Sequence, residues 1–183
     1  MSAPDFYFAA NAIFRHLGDH YGKQALADYW RSLAREYYRQ RIEAWRSGGL
    51  AAIAADWRAY FAAEPQAEVE VLLHQHDVEL IVRVCPAIKH LRDHGRDVAP
   101  CFCEHCDHTC GAMAEAAGYT FTRNGGSGSC RQWFVMGHES LGGGRWRPSR
   151  SRILRCTGSP RGWQVTFGSS FDAGTPSPRI PSG

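Results

Sequence analysis

The chain has 183 residues, 44% of them hydrophobic, and a formal net charge of +3, enough for one complete core with a small helical part attached. No apolar run approaches the roughly 18 residues that span a bilayer, and no charged stretch followed by an apolar segment opens the sequence, so no membrane association is expected and the reading is cytoplasmic. Seven Arg against one Glu and one Asp between 137 and 183 make a local +5, leaving the first 136 residues at −2. Such a body has no basic stripe for a nucleic acid, so none is expected as a partner.

Residues 4–17 and 23–46 carry apolar positions at helical spacing, Leu26, Tyr29, Trp30, Leu33, Tyr37 and Ile42 among them, with Gly22 and Gly48-Gly49 as punctuation. A third helix runs from Leu50 to Phe61 and stops before Pro65, where a helix would lose a hydrogen bond and clash. The period then changes to two. Glu68 to Val71 alternates, a turn follows at His74 to Asp77, and Val78, Leu80, Val82 and Val84 share one face of a second strand. Pro86 suits the first turn of a helix that closes near His94-Gly95. A longer helix is predicted from Glu104 to Ala117, with Gly118 as its stop. Tyr119 to Arg123 and Cys130 to Met136 form a second hairpin around a loop from Asn124 to Ser129.

These elements predict an α+β fold, a small antiparallel sheet covered by helices. Three segments follow: 1–64 helical and packed on the body, 65–136 a cysteine-rich α+β core, and 137–183 a Gly/Ser/Pro/Arg-rich tail. The tail buries too little to offset chain entropy and is expected to be disordered, with Cys156 incidental.

Six of the seven cysteines lie between Cys85 and Cys130. In a reducing compartment such clustering points to metal or catalysis rather than to disulfides. Cys103 and Cys106 form a C-x-x-C at the start of the predicted helix, a spacing at which two thiolates reach one ion. Cys85 at a strand end and Cys130 at a strand start complete a four-sulfur set, with zinc the expected ion. A thiol at a helix N-terminus is alternatively a nucleophile, since the dipole lowers its pKa, and this reading falls on Cys103. His105 and His108 lie within the same turn, while His74 and His76 share one face of the first hairpin turn; His105 and His76 are the candidate bases. Cys110 reads as core, and Cys101 as a surface thiol or an extra ligand. The spacing of Cys101, Cys103, Cys106 and Cys110 departs from those usual for iron–sulfur clusters. Arg83, Arg123 and Arg131 are strand arginines with the chemistry to hold a carboxylate.

The order Cys85-Pro86, then Phe102-Cys103-Glu104-His105-Cys106, a helix ending at Ala117-Gly118-Tyr119, and a hairpin leading into Ser129-Cys130-Arg131-Gln132-Trp133-Phe134 resembles the L-2-amino-thiazoline-4-carboxylic acid hydrolase-like family over about residues 10–136. The resemblance puts Cys85, Cys103 and Cys130 on that family's cysteine positions. Cys106 stands where many members have Asp, a change that softens the ligand set toward zinc. The resemblance implies an enzyme that opens a C–N or C–S bond in a cyclic amidine or thiazoline amino-acid derivative. The alternative is a non-catalytic small-molecule or metal-sensing domain with a structural zinc.

Overall fold

The computed structural model describes residues 5–64 and 66–137. The tail expectation, beyond Gly137, and Cys156 fall outside the described residues. Four helices and a four-stranded antiparallel sheet make an α+β fold. Helix α1 (Phe6–Tyr37) is broken at Gly22 (φ 82°), and α2 (Arg39–Ala62) at Gly49 (φ 69°). Both angles lie where a residue without Cβ enters at least cost. The stretch 23–46 nevertheless does not run as one helix, because α1 ends at Tyr37 and α2 begins at Arg39. Tyr38 at the joint packs on the core and lies 5.6 Å from the Arg41 guanidinium. The apolar period carries across the joint because both helices face the same core, which hides the break in the sequence.

The sheet contains β1 (Glu68–Leu73), β2 (Asp77–Val84), β3 (Tyr119–Gly126) and β4 (Ser129–Met136), in the order β1-β2-β4-β3. Alternation on β2 buries Val78, Leu80 and Val82, and the antiparallel register sets these opposite Phe134, Gln132 and Cys130 of β4. The short helix α3 (Pro86–Asp93) follows β2 directly, and α4 (Glu104–Ala117) ends at Gly118 in the left-handed conformation. The second hairpin is tighter than the sequence suggests. Its strands pair as far as Gly126 and Ser129, leaving a turn of Ser127 (φ 54°) and Gly128 (φ 110°) in place of a loop from Asn124 to Ser129. Positive φ at both central residues is the turn whose twist matches a right-handed hairpin.

Two apolar clusters form. One joins Trp45, Ile53 and Trp57 of α2 to Leu80, Met113 and Phe134. The other joins Phe14, Leu26 and Trp30 of α1 to Ile88, Leu91 and Phe102. The N-terminal helices therefore share their core with the sheet. The second cluster is clamped by Asn11, whose Nδ2 donates to the Asp97 carbonyl (2.9 Å) while its Oδ1 accepts the Ala99 N–H (2.8 Å). That reciprocal pair satisfies a side chain and a backbone donor that burial would otherwise leave unpaired. Among the described residues no helix is long and apolar enough to cross a membrane.

Phe134 is fully buried, with its ring 5.3 Å from Trp45, 5.9 Å from Trp57 and 5.0 Å from Phe121. Phe134→Ala is expected to cost about 3–5 kcal/mol, measured by urea denaturation. A loss below about 1 kcal/mol would mean that this cluster does not hold the sheet to α2.

Candidate functional site

Four elements bring thiols to one place. Cys85 caps α3 immediately after β2, and its N–H donates to the Gly128 carbonyl at 2.8 Å. Cys103 is the residue before α4, and its Sγ accepts the Ser127 N–H at 3.3 Å. Cys106 and Cys110, four residues apart, share one face of α4. Cys130 opens β4 opposite Val82 and Gly125, with Gln132 Nε2 donating to its Sγ at 3.3 Å. All five line a single cavity of about 200 Å³. It lies between the two apolar clusters, and Cys85 packs against both.

The charge on this cluster falls on Cys106. A hydrogen bond from Cys110 holds the Cys106 thiol well below the usual range; burial opposes this, and His105 and Arg123 reinforce it. The same bond pushes Cys110 well up, and burial adds to that. Of the pair, Cys106 is the more readily ionised and Cys110 the thiol that keeps its proton. Burial pushes Cys85 up to about 12 and Cys130 up to about 11, while Cys103 is raised by burial and by its neighbour Cys106. His105 is the counter-charge. Burial works against its imidazolium, but Cys106 and the Phe102 carbonyl outweigh that and raise its pKa. Nδ1 of His105 lies 3.1 Å from the Phe102 carbonyl and 3.6 Å from Cys106 Sγ. A carbonyl only accepts, so Nδ1 carries a proton.

Arg123 secures the other side. Its Nε and Nη2 form a fork on Asp107 of α4 (2.9 and 2.6 Å), and Nη1 donates to the Gly125 carbonyl. The fork ties β3 to the first turn of α4, and the pair supports its charge. The other two strand arginines are exposed: Arg83 pairs with Glu70 and Arg131 with Glu79.

The structure thus gathers Cys85, Cys103, Cys106, Cys130 and His105 on one wall. His76 does not join them. It is exposed in the β1–β2 turn, at the far end of β2 from Cys85. His108 instead stacks on Trp30 at 5.5 Å. The position of the thiolate also differs from the sequence expectation of an activated Cys103. The Ser127 and Gly128 N–H groups and the Arg123 charge do not offset burial there, and two adjacent thiolates would repel. Of the other contributors, Gln132 carried no sequence signal; Cys110, read as core, carried one in its four-residue spacing from Cys106 on a helix, and Arg123, expected to hold a carboxylate, holds that of Asp107.

Among the described residues no group of three or more His, Cys, Asp or Glu side chains is gathered closely enough to hold a metal ion. Comparison of the chain with family models, with curated proteins and with solved structures finds no match.

Because the depressed pKa keeps Cys106 ionised as pH falls below the ordinary thiol range, its alkylation by iodoacetamide is expected to persist at about pH 7, where Cys85 and Cys130 are protonated. Peptide mass spectrometry reads this site by site. Labelling of all three at equal rates would remove the assignment of the thiolate to Cys106.

Proposed function

We propose that this chain is a thiol-dependent hydrolase of small molecules, opening a C–N or C–S bond in a cyclic amidine or thiazoline amino-acid derivative with Cys106 as nucleophile. The supporting observation is the position of Cys106, on a cavity wall between a proton donor, Cys110, and a cation, His105. A thiolate is the attacking form of cysteine, and a neighbouring imidazolium both stabilises it and holds a proton for the leaving group.

The steps follow from that pair. Cys106 Sγ bonds to the amidine carbon, and the π pair of the C=N bond moves to nitrogen, which takes the proton of His105. In the collapse the exocyclic amino nitrogen re-forms a C=N bond as the ring C–N or C–S bond breaks, and the departing ring atom takes that bond's electron pair and the proton the amino group releases. Water then adds across the C=N bond of the Cys106 isothiourea, its hydroxyl to carbon and its proton to nitrogen; the hydroxyl becomes C=O, the C–S pair returns to Cys106 and the hydroxyl proton to His105. Arg123 stands beside this wall as a fixed positive charge, made rigid by Asp107. Cys85, Cys103, Cys106, Cys110 and Cys130 carry free thiols, and the chemistry needs them reduced, as in the cytoplasm. The substrate is a small molecule rather than a nucleic acid.

A second reading is a small-molecule sensing domain without turnover, favoured by the many aromatic and aliphatic side chains on the cavity walls. Steady-state hydrolysis of a 2-aminothiazoline carboxylate, with metal content measured on protein purified without added metal, separates the two. For the hydrolase, Cys106→Ser is expected to lower kcat/KM by about a thousandfold or more, because a neutral hydroxyl is a far weaker nucleophile. Cys110→Ser is expected to lose about tenfold, since a hydroxyl still donates to the thiolate. Full activity in Cys106→Ser would end the proposal. Binding without turnover in the unmodified protein supports the sensing domain. Stoichiometric zinc that disappears in Cys85→Ser and Cys130→Ser supports the structural metal site.

A further inference from the structure

The end of the cavity away from Cys103 has a different chemistry. Arg41 of α2 lines it, with its guanidinium 5.0 Å from the Trp57 ring and 5.6 Å from those of Tyr38 and Tyr60. Its counter-ion Asp56 takes the Nε–Nη2 edge and also accepts Trp45 Nε1 at 2.7 Å, but Asp56 is not among the lining residues. Asp107, the partner of Arg123, is likewise outside the lining. The cavity therefore has two arginines in its wall and no carboxylate among its described lining residues. The Trp57 Nε1 donor, in the same wall, has no hydrogen-bond partner among the described residues. At the mouth, Phe6 and Ile13 expose apolar side chains (59% and 41%).

From this arrangement we infer that the cavity takes an aromatic or similarly planar apolar molecule carrying an anionic group, with the ring system among Trp57, Tyr60 and Phe14 and the anion toward Arg41. The warrants are physical. Flat rings bury well among aromatic walls and gain from edge and face contacts. An anion entering a wall that holds two guanidinium groups and no carboxylate meets net attraction, the Cys106 thiolate being the one like charge in the lining, and charge-assisted bonds to a planar guanidinium are among the stronger polar contacts. A cationic ligand would meet the reverse. The mouth selects in the same direction, since exposed Phe6 and Ile13 offer an apolar entry. The inference deepens the proposed function by naming the substrate class of the same cavity, and it does not require Cys106 to be reactive.

Two fluorescent probes of nearly equal shape test it: 8-anilinonaphthalene-1-sulfonate, which carries an anion, and N-phenyl-1-naphthylamine, which does not. Titration of the full chain is expected to give one site for each, with each probe displacing the other, and an affinity about tenfold higher for the sulfonate. In Arg41→Gln combined with Asp56→Asn, a neutral pair that keeps the local shape and an acceptor for Trp45, the preference is expected to vanish while the neutral probe binds within about twofold of the unaltered chain. Retained binding of the neutral probe also establishes that the variant has kept its cavity. Equal affinities in the unaltered protein, independent sites for the two probes, or a preference that survives the double substitution would each overturn the inference. If the double variant does not fold, the affinity ratio and mutual displacement in the unaltered chain decide alone. Cys106→Ser, which removes hydrolysis and the one anionic thiol of the lining, is expected to keep the preference for the sulfonate or increase it, so a failure of the thiolate chemistry is read separately from a failure of this ligand class.

Discussion

One backbone N–H and one carbonyl of the β3–β4 turn hold this site together. Gly128 accepts the Cys85 N–H at 2.8 Å, and Ser127 N–H reaches Cys103 Sγ at 3.3 Å, so one two-residue turn fixes the start of both α3 and α4. The turn has little freedom to be otherwise. A Cβ on Gly125 would stand 2.8 Å from the Ser129 carbonyl oxygen and 3.0 Å from Cys130 Cα, backbone atoms that cannot move aside while β3 and β4 stay paired. The arginine fork on Asp107 adds a second tie between the same hairpin and α4.

Once the turn is docked, the electrostatics follow from placing several thiols in a space with little water. Burial alone keeps thiols protonated, as at Cys85 and Cys130. One site can escape this by collecting donors and nearby positive charge, and Cys106 has Cys110 and His105 as donors and Arg123 as a charge. A thiolate there raises the cost of a second one nearby, which is part of why Cys103 stays protonated. The cluster therefore divides its labour: a single anion, a proton donor beside it, and neutral thiols around them.

The cavity exists because the two cores do not fuse. α2 packs on the sheet through Trp45, Trp57 and Phe134, while the first part of α1 packs on α3 and the Asp97 to Ala99 segment through Phe14 and Asn11. The walls of the space between them combine large rings with small residues, cysteine and glycine. The small residues leave room for a reacting atom, and the rings offer a surface suited to a flat molecule. Arg41, held by Asp56, brings a charge to the Trp57 and Tyr60 rings.

Periodicity in the sequence determined the elements: the change from a period of 3.6 to 2 after Pro65, Pro86 at the start of α3, and Gly118 at the end of α4 all mark boundaries that local backbone physics enforces. It also marked the cysteines, and placed Cys103 and Cys106 at the head of a helix. The division at Tyr38 was not legible, because helical spacing continues across it when both sides face one core. Nor was the identity of the thiolate. That depends on Cys110 lying one turn away, on a proton-bearing His105 nitrogen, and on an arginine delivered from a different strand, and energies of this kind depend on distances that only the packed chain sets. His76 illustrates the same limit from the other side: its local setting was as plausible as that of His105, and the antiparallel register of β2 carried it to the opposite end of the sheet. Local sequence determined what each segment becomes, because propensity and periodicity act over a few residues. Tertiary structure alone decided which charges meet, because Coulomb and hydrogen-bond energies act between residues the chain separates.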